Sequence, residues 1–316
     1  TSLSKLTFIL TSYSLENPTE QDDVVELSYK LLKTFPISDD TQRREFNDFL
    51  NINVGDEYLP YYFLTASVAL RLEKTISARL VLSEYDERDI ATSQWDKRVL
   101  SSILQALLFL IRKQNGYGDI RKAIDAITVL QSEQKTFESD YLNSFAANQQ
   151  AEEAIWLLAL YHTSKAVVET AQYILKGYIY PNRRIETIVR QHMDMAKKLT
   201  AIASEKRLLD TIESDLYALI EHCIWTDTAI SEKVKELCKY KGETGILELL
   251  PSQRDAISKN LFDVAANAIV LQMPTSAGKT LLAEFNIVVT KSLLPNSKVV
   301  YIVPSRALVN QVYHDL

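Results

Sequence analysis

Cysteine is nearly absent from this chain of 316 residues. The two present, Cys223 and Cys238, form no Cys-x-x-Cys pair, so neither a disulfide framework nor a zinc ribbon nor a thiol-exchange centre is expected. Four histidines, His162, His192, His222 and His314, lack the i, i+4 spacing of a helical metal site. Glycine is scarce at seven residues, which argues against the tight hairpins of a β-sandwich or barrel and in favour of helix. Long apolar runs are missing too. The longest, around residues 102–111, is about half of the ~20 residues that cross a bilayer. No charged-then-apolar leader opens the chain, and a cytoplasmic protein is the expectation. What is present, 47% hydrophobic and 24% charged residues, fits a globular chain of about two domains.

Helical punctuation runs to about residue 240. Asn17-Pro18-Thr19-Glu20 reads as an N-cap, a first-turn proline and a carboxylate before the apolar series Val24, Val25, Leu27, Leu31 and Leu32. That helix should stop near Phe35, before Pro36. Apolar residues three and four apart predict further helices over 59–85 (one or two), 94–114, 120–134, 151–176, 184–203, 206–225 and 229–240. No fixed period recurs, so the arm reads as an irregular helical domain over residues 1–240 and not as a repeat array. Tyr61, Tyr62, Phe63, Trp95, Trp156 and Trp225 stand at helical spacing, where core packing is a better account of aromatics than a base-stacking surface.

The charge is uneven. Residues 251–316 hold six basic and four acidic side chains, against 29 and 37 in the first 250. An acidic arm is a poor general phosphate binder, and the small basic cluster of Arg183, Arg184 and Arg190 reads first as a solvated helix face.

Lys241-Gly242-Glu243-Thr244-Gly245 marks a linker, taken as residues 241–250, and the pattern then changes. Residues 251–316 read as helix, strand, helix, strand, helix, with β-branched apolar strands predicted over 268–272 and 298–303. The expected fold is therefore a mainly α N-terminal domain followed by the beginning of an α/β P-loop domain with a parallel sheet, incomplete in this chain. At the end of the first predicted strand stands Met273-Pro274-Thr275-Ser276-Ala277-Gly278-Lys279-Thr280, leading straight into a helix. That order is what a phosphate-binding loop requires. Backbone amides and the positive end of the new helix converge on one place for an anion. Lys279 would add a point charge for the β- and γ-phosphates, the Thr280 hydroxyl would ligate Mg²⁺, and Gly278 lets the backbone approach closely.

The octapeptide departs from the general loop by carrying Met273 where glycine is usual, and with that departure it closely resembles motif I of superfamily 2 helicases, the DEAD-box-related and Ski-type groups. Two further segments resemble that family: Leu250-Pro251-Ser252-Gln253-Arg254-Asp255-Ala256-Ile257 is similar to the Q motif, and residues 299–308 with Gln311 are similar to motif Ia. The resemblance implies a RecA-like motor domain that binds ATP with Mg²⁺. Gln253 would read adenine, Pro274, Thr275, Ser276, Ala277, Gly278, Lys279 and Thr280 would hold the phosphates, and Lys279 and Thr280 would be catalytic. It also implies that Pro304, Ser305, Arg306, Ala307 and Gln311 grip the backbone of a single nucleic-acid strand, DNA or RNA. A helical region ahead of such a motor is similar in layout to the large helicase subunits of bacterial antiviral systems of the Hachiman kind.

An acidic Asp-Glu-x-x motif and a second motor domain, which such a helicase needs, do not occur up to Leu316. The expectation is a piece of a longer ATP-dependent helicase or translocase, inactive by itself. Two other readings stay open: a regulatory or adaptor module whose helical arm recruits a protein partner, and a P-loop ATPase that does not act on nucleic acid.

Overall fold

The computed structural model describes residues 2–16, 22–35, 38–50, 52, 54, 56–85, 94–143, 150–177, 184–228, 231–263, 265–266, 268–274 and 277–315. Helices account for nearly all regular structure among them: α1 (Leu3–Glu16), α2 (Asp22–Thr34), α3 (Asp40–Leu50), α4 (Leu59–Arg71), α5 (Thr75–Leu82), α6 (Trp95–Arg112), α7 (Tyr117–Asn143), α8 (Gln150–Lys176), α9 (Ile185–Lys198), α10 (Ala203–His222), α11 (Glu232–Glu243), α12 (Pro251–Ser258), α13 (Lys279–Leu293) and α14 (Arg306–Asp315). The backbone divides into two compact units, Thr1–Glu221 and His222–Leu316. No helix among the described residues is long and apolar enough to cross a membrane.

The first unit is organised around two helices that are buried on nearly every side. All twelve residues from Leu59 to Leu70 of α4 are buried, as are Val99–Leu104 and Ala106–Arg112 of α6. A helix apolar all round must lie inside a core, and α4 packs against α2, α5 and α6 while α6 packs against α7 and α8. The aromatic prediction holds at Tyr61, Tyr62, Phe63 and Trp225, which are buried. Tyr61 spends its hydroxyl on the Leu32 carbonyl at 2.7 Å, and burial pushes its ionisation up to about 12. Between α6 and α7, Arg112 grips the fully buried Asp119 through Nε (2.8 Å) and Nη2 (3.0 Å), and the Gln114 amide adds a third donor at 3.0 Å. This satisfied fork fixes the α6–α7 turn. The turn itself begins at Lys113, which adopts left-handed φ +45 and donates its N–H to the Phe109 carbonyl.

α1 inverts the usual pattern. Ser4, Thr7, Thr11 and Ser14 are buried, whereas Leu3, Leu6, Ile9 and Tyr13 are exposed. Ser4 donates to Glu45, Thr11 and Ser14 donate to carbonyls one turn back, and Ser28 donates to Thr11. The C-terminus of α1 is held by Arg71 of α4, whose Nη1 donates to the Ser14 and Leu15 carbonyls. Asn17, Pro18, Thr19, Glu20 and Pro36 lie outside the described residues, as does Arg183.

The second unit corrects the predicted fold. No strand or sheet occurs among the described residues; their sole β pairing is an isolated antiparallel bridge between Cys223 and Glu248. Residues 268–272 and 298–303, predicted as parallel strands, run without regular structure, and Val270, Val300 and Ile302 are 92%, 79% and 87% exposed. The beginning of a RecA-like parallel sheet is therefore not found among the described residues, whose regular structure in this unit is helical. The physical reason is that β-branched apolar residues express a local preference for extended backbone, while a strand exists only when a neighbour completes its ladder. Within the unit α11 packs on α13, and the 246–249 segment pairs with residues 222–224. Ile224 donates to the Leu247 carbonyl at 3.0 Å and Leu249 donates to the His222 carbonyl at 2.8 Å. Cys238 is sealed in this core and burial pushes its thiol up to about 11, so it is no nucleophile at neutral pH.

Candidate functional site

Gly278 is the N-cap of α13 and has left-handed φ +71, ψ 38. Such a backbone suits glycine because a Cβ there collides with the following carbonyl. A second constraint is specific to this chain: a Cβ on Gly278 would lie 2.3 Å from Nε2 of Gln253. The two residues are joined, since Gln253 Nε2 donates to the Gly278 carbonyl at 3.0 Å.

Gln253 reaches that point because of how α12 starts. Leu250 is extended, Pro251 supplies a preset φ at the first helical position, and Gln253 at the third position bends its side chain back. Its Oε1 accepts the Leu250 N–H at 2.8 Å, which is the return half of a capping box. The side chain is 3% exposed and held at both ends of its carboxamide. By donor and acceptor count, one amide hydrogen and one oxygen lone pair remain. The sequence anticipates Gln253 and Gly278 as two parts of one site and does not anticipate their hydrogen bond, which joins residues 25 apart in the chain.

Beyond Gly278, Lys279 and Thr280 occupy the exposed first turn of α13, which contains no acidic residue. The first amides of a helix have no intrahelical acceptor, so this turn presents donors and the positive end of the helix dipole beside a lysine and a hydroxyl. Leu281, Leu282, Phe285 and Val289 anchor the opposite face, and the Asn286 side chain donates to the Leu261 carbonyl at 3.3 Å. On the approach, Ala277 is buried and donates its N–H to the Pro274 carbonyl at 3.2 Å, while Pro274 is exposed. Thr275 and Ser276 lie outside the described residues.

The remaining predicted residues gather at the start of α14. Pro304, Ser305 and Arg306 are exposed; Ser305 accepts the Val309 N–H at its carbonyl, and Arg306 opens the helix. Ala307 and Gln311 belong to α14, with side chains outside the described residues. Arg190 of the basic cluster is exposed on α9, where its guanidinium hydrogen-bonds the Tyr217 hydroxyl. No group of three or more metal-ligating side chains occurs among the described residues.

Comparison with known proteins places these features in one segment. Residues 250–316 match the model of the DEAD/DEAH box helicase family. The chain is similar to the ATP-dependent DNA helicase Hel308 of Pyrococcus abyssi, 37% identical over 86 residues that cover 27% of this chain and 11% of that protein. It is also similar to the proteins of the same name from Thermococcus kodakarensis, 37% identical over 86 residues (27% of this chain, 7% of that one), and Methanocella arvoryzae, 41% identical over 70 residues (22% and 9%). The match thus spans about a tenth of the length of these curated relatives. No solved structure matches the chain significantly. The family match and these relatives support a helicase of the superfamily 2 kind; they lend no support to the likeness with antiviral-system subunits.

Proposed function

We propose that the chain is part of an ATP-dependent nucleic-acid helicase or translocase of superfamily 2, and that the first turn of α13 is its triphosphate-binding point. The observation that carries this reading is the conjunction at one helix start: left-handed Gly278, exposed Lys279 and Thr280, no acid in the first turn, and Gln253 locked onto the Gly278 carbonyl. The N-terminal amides of α13 bind phosphate oxygens, and Lys279 adds a full positive charge where the β- and γ-phosphates carry most of theirs. Thr280 would supply a hydroxyl to hold Mg²⁺, which when bound would provide positive charge beside the phosphates. Gln253 has one donor and one acceptor left, which matches the adenine edge.

The exposed turn of Pro304, Ser305 and Arg306, continued by Ala307 and Gln311, serves in this reading as the contact for a single-strand backbone. Residues 251–316 carry more basic than acidic side chains, which suits a polyanion. The similar proteins are DNA helicases by name, which favours DNA as that strand. The test is ATP turnover by the intact protein with and without single-stranded DNA: Lys279→Ala should remove the stimulated rate, and unchanged turnover in that variant rejects the reading.

A further inference from the structure

One buried ion pair links the candidate nucleotide helix to chain that precedes the family match. Lys241, near the end of α11, lies 2.5 Å from Glu284 of α13, and the two side chains are 12% and 8% exposed. Residue 241 stands outside the matched segment, which begins at residue 250. A second contact between the same helices, the Ser231 hydroxyl donating to that of Ser292 at 3.2 Å, lies at their opposite ends. α11 therefore runs antiparallel along α13, with Lys241 at the end nearest Gly278 and Ser231 at the far end.

The position of Glu284 gives the pair a meaning beyond packing. It stands four residues after Thr280, one helical turn and about 6 Å along the axis. An uncompensated carboxylate there faces the same stretch of helix that presents its positive end to an anion, and burial weakens the solvent screening that would otherwise mute it. An ion pair at such depth is also a poor source of stability compared with apolar side chains of like volume, so stability alone gives little reason for it.

We propose that Lys241 is a positioning residue for the nucleotide site: it neutralises Glu284, so that the helix start keeps its affinity for a triphosphate. This deepens the nucleotide reading above and rests on it. It makes the region before the matched segment part of the binding machinery, acting through Glu284 and not by touching the ligand.

The test is equilibrium binding of a fluorescent N-methylanthraniloyl ATP with Mg²⁺ to the intact protein, with a thermal melt recorded on each variant. Lys241→Met leaves Glu284 bare and should weaken binding about tenfold. Glu284→Gln removes the repelling charge and should tighten binding by roughly twofold to threefold. The double variant K241M/E284Q should return to within about twofold of the unsubstituted protein. A purely structural bridge predicts a different pattern, in which both single variants melt earlier and neither shifts affinity, or both weaken it alike; either result overturns the proposal. If Lys241→Met does not fold, Glu284→Gln and the double variant still decide, because weakened binding in either contradicts the electrostatic role. Lys279→Ala is the control: if the unsubstituted protein itself binds no nucleotide, the functional reading fails, whereas binding that Lys279→Ala loses and Lys241→Met retains in full sinks the present inference alone.

Discussion

Replacing Gly278 by alanine tests the geometry of the site most sharply. Two costs are legible. The first is conformational: φ +71 is a left-handed backbone, which costs an L-residue about 1–2 kcal/mol. The second is steric, because the new methyl would lie 2.3 Å from Gln253 Nε2. A flexible side-chain end usually yields to such a methyl at little cost, but this carboxamide is buried and tied to the Leu250 N–H and the Gly278 carbonyl. Moving it forfeits one or both hydrogen bonds and leaves a backbone donor and acceptor short of partners, about 1–3 kcal/mol. Together the loss should be about 2–5 kcal/mol in the second unit, read by urea denaturation followed through Trp225 fluorescence with Trp95 and Trp156 replaced by Phe. Gln253→Ala removes the obstacle and the bonds together, so G278A/Q253A should cost clearly less than the sum of the two single variants, a coupling of about 1–2 kcal/mol. A Gly278→Ala protein within 0.5 kcal/mol of the original, or strict additivity in the double variant, would refute the coupling drawn here.

Three further outcomes follow from the first unit. Asp119→Ala should destabilise the first unit by about 3–5 kcal/mol, because it strands the buried Arg112 guanidinium; a loss under 1 kcal/mol in a denaturation titration would contradict the assigned role. Asp215 is buried, and burial raises its carboxyl from 3.8 to about 7 against the opposing pull of Arg71 and the Ser67 hydroxyl at 2.5 Å. A carboxyl raised on folding holds its proton more tightly in the native state, so its contribution is full below about pH 4 and fades as pH climbs toward 7, up to about 4 kcal/mol in all. Asp215→Asn should flatten that part of the stability profile between pH 4 and 7, and an unaltered slope would show that the group titrates normally. Truncating Phe63, which is fully buried in α4, to alanine should cost about 3–5 kcal/mol by the same assay; a loss below 1 kcal/mol would contradict its placement in the core.

How much of this was written in the sequence depends on which force did the work. The helices α4, α6, α8 and α9 follow apolar residues three and four apart and stop signals, which are written locally in the sequence. α1 escaped that reading because its inward face is Ser4, Thr7, Thr11 and Ser14, and a hydroxyl face has no hydrophobic period to find. α3 is mostly polar and starts from Asp39, whose Oδ1 accepts the Thr41 and Gln42 amides, a cap that composition alone understates. The predicted strands failed for a different reason: residues 268–272 and 298–303 declare a preference for extended backbone, but pairing belongs to a neighbour and is not encoded in the segment itself. At the candidate site, Gly278, Lys279 and Thr280 were legible as a motif. The hydrogen bond from Gln253 and the buried partner of Glu284 were not, because each joins residues 25 or more apart in the chain.

The central claim is that a triphosphate sits against the amides at the start of α13. The most direct measurement is a structure of the intact protein with a non-hydrolysable ATP analogue and Mg²⁺. The expected density places phosphate oxygens within hydrogen-bond distance of the Gly278, Lys279 and Thr280 amides, with the Lys279 ammonium alongside and Mg²⁺ at the Thr280 hydroxyl. Phosphates bound elsewhere, or none bound at saturating nucleotide, would contradict it.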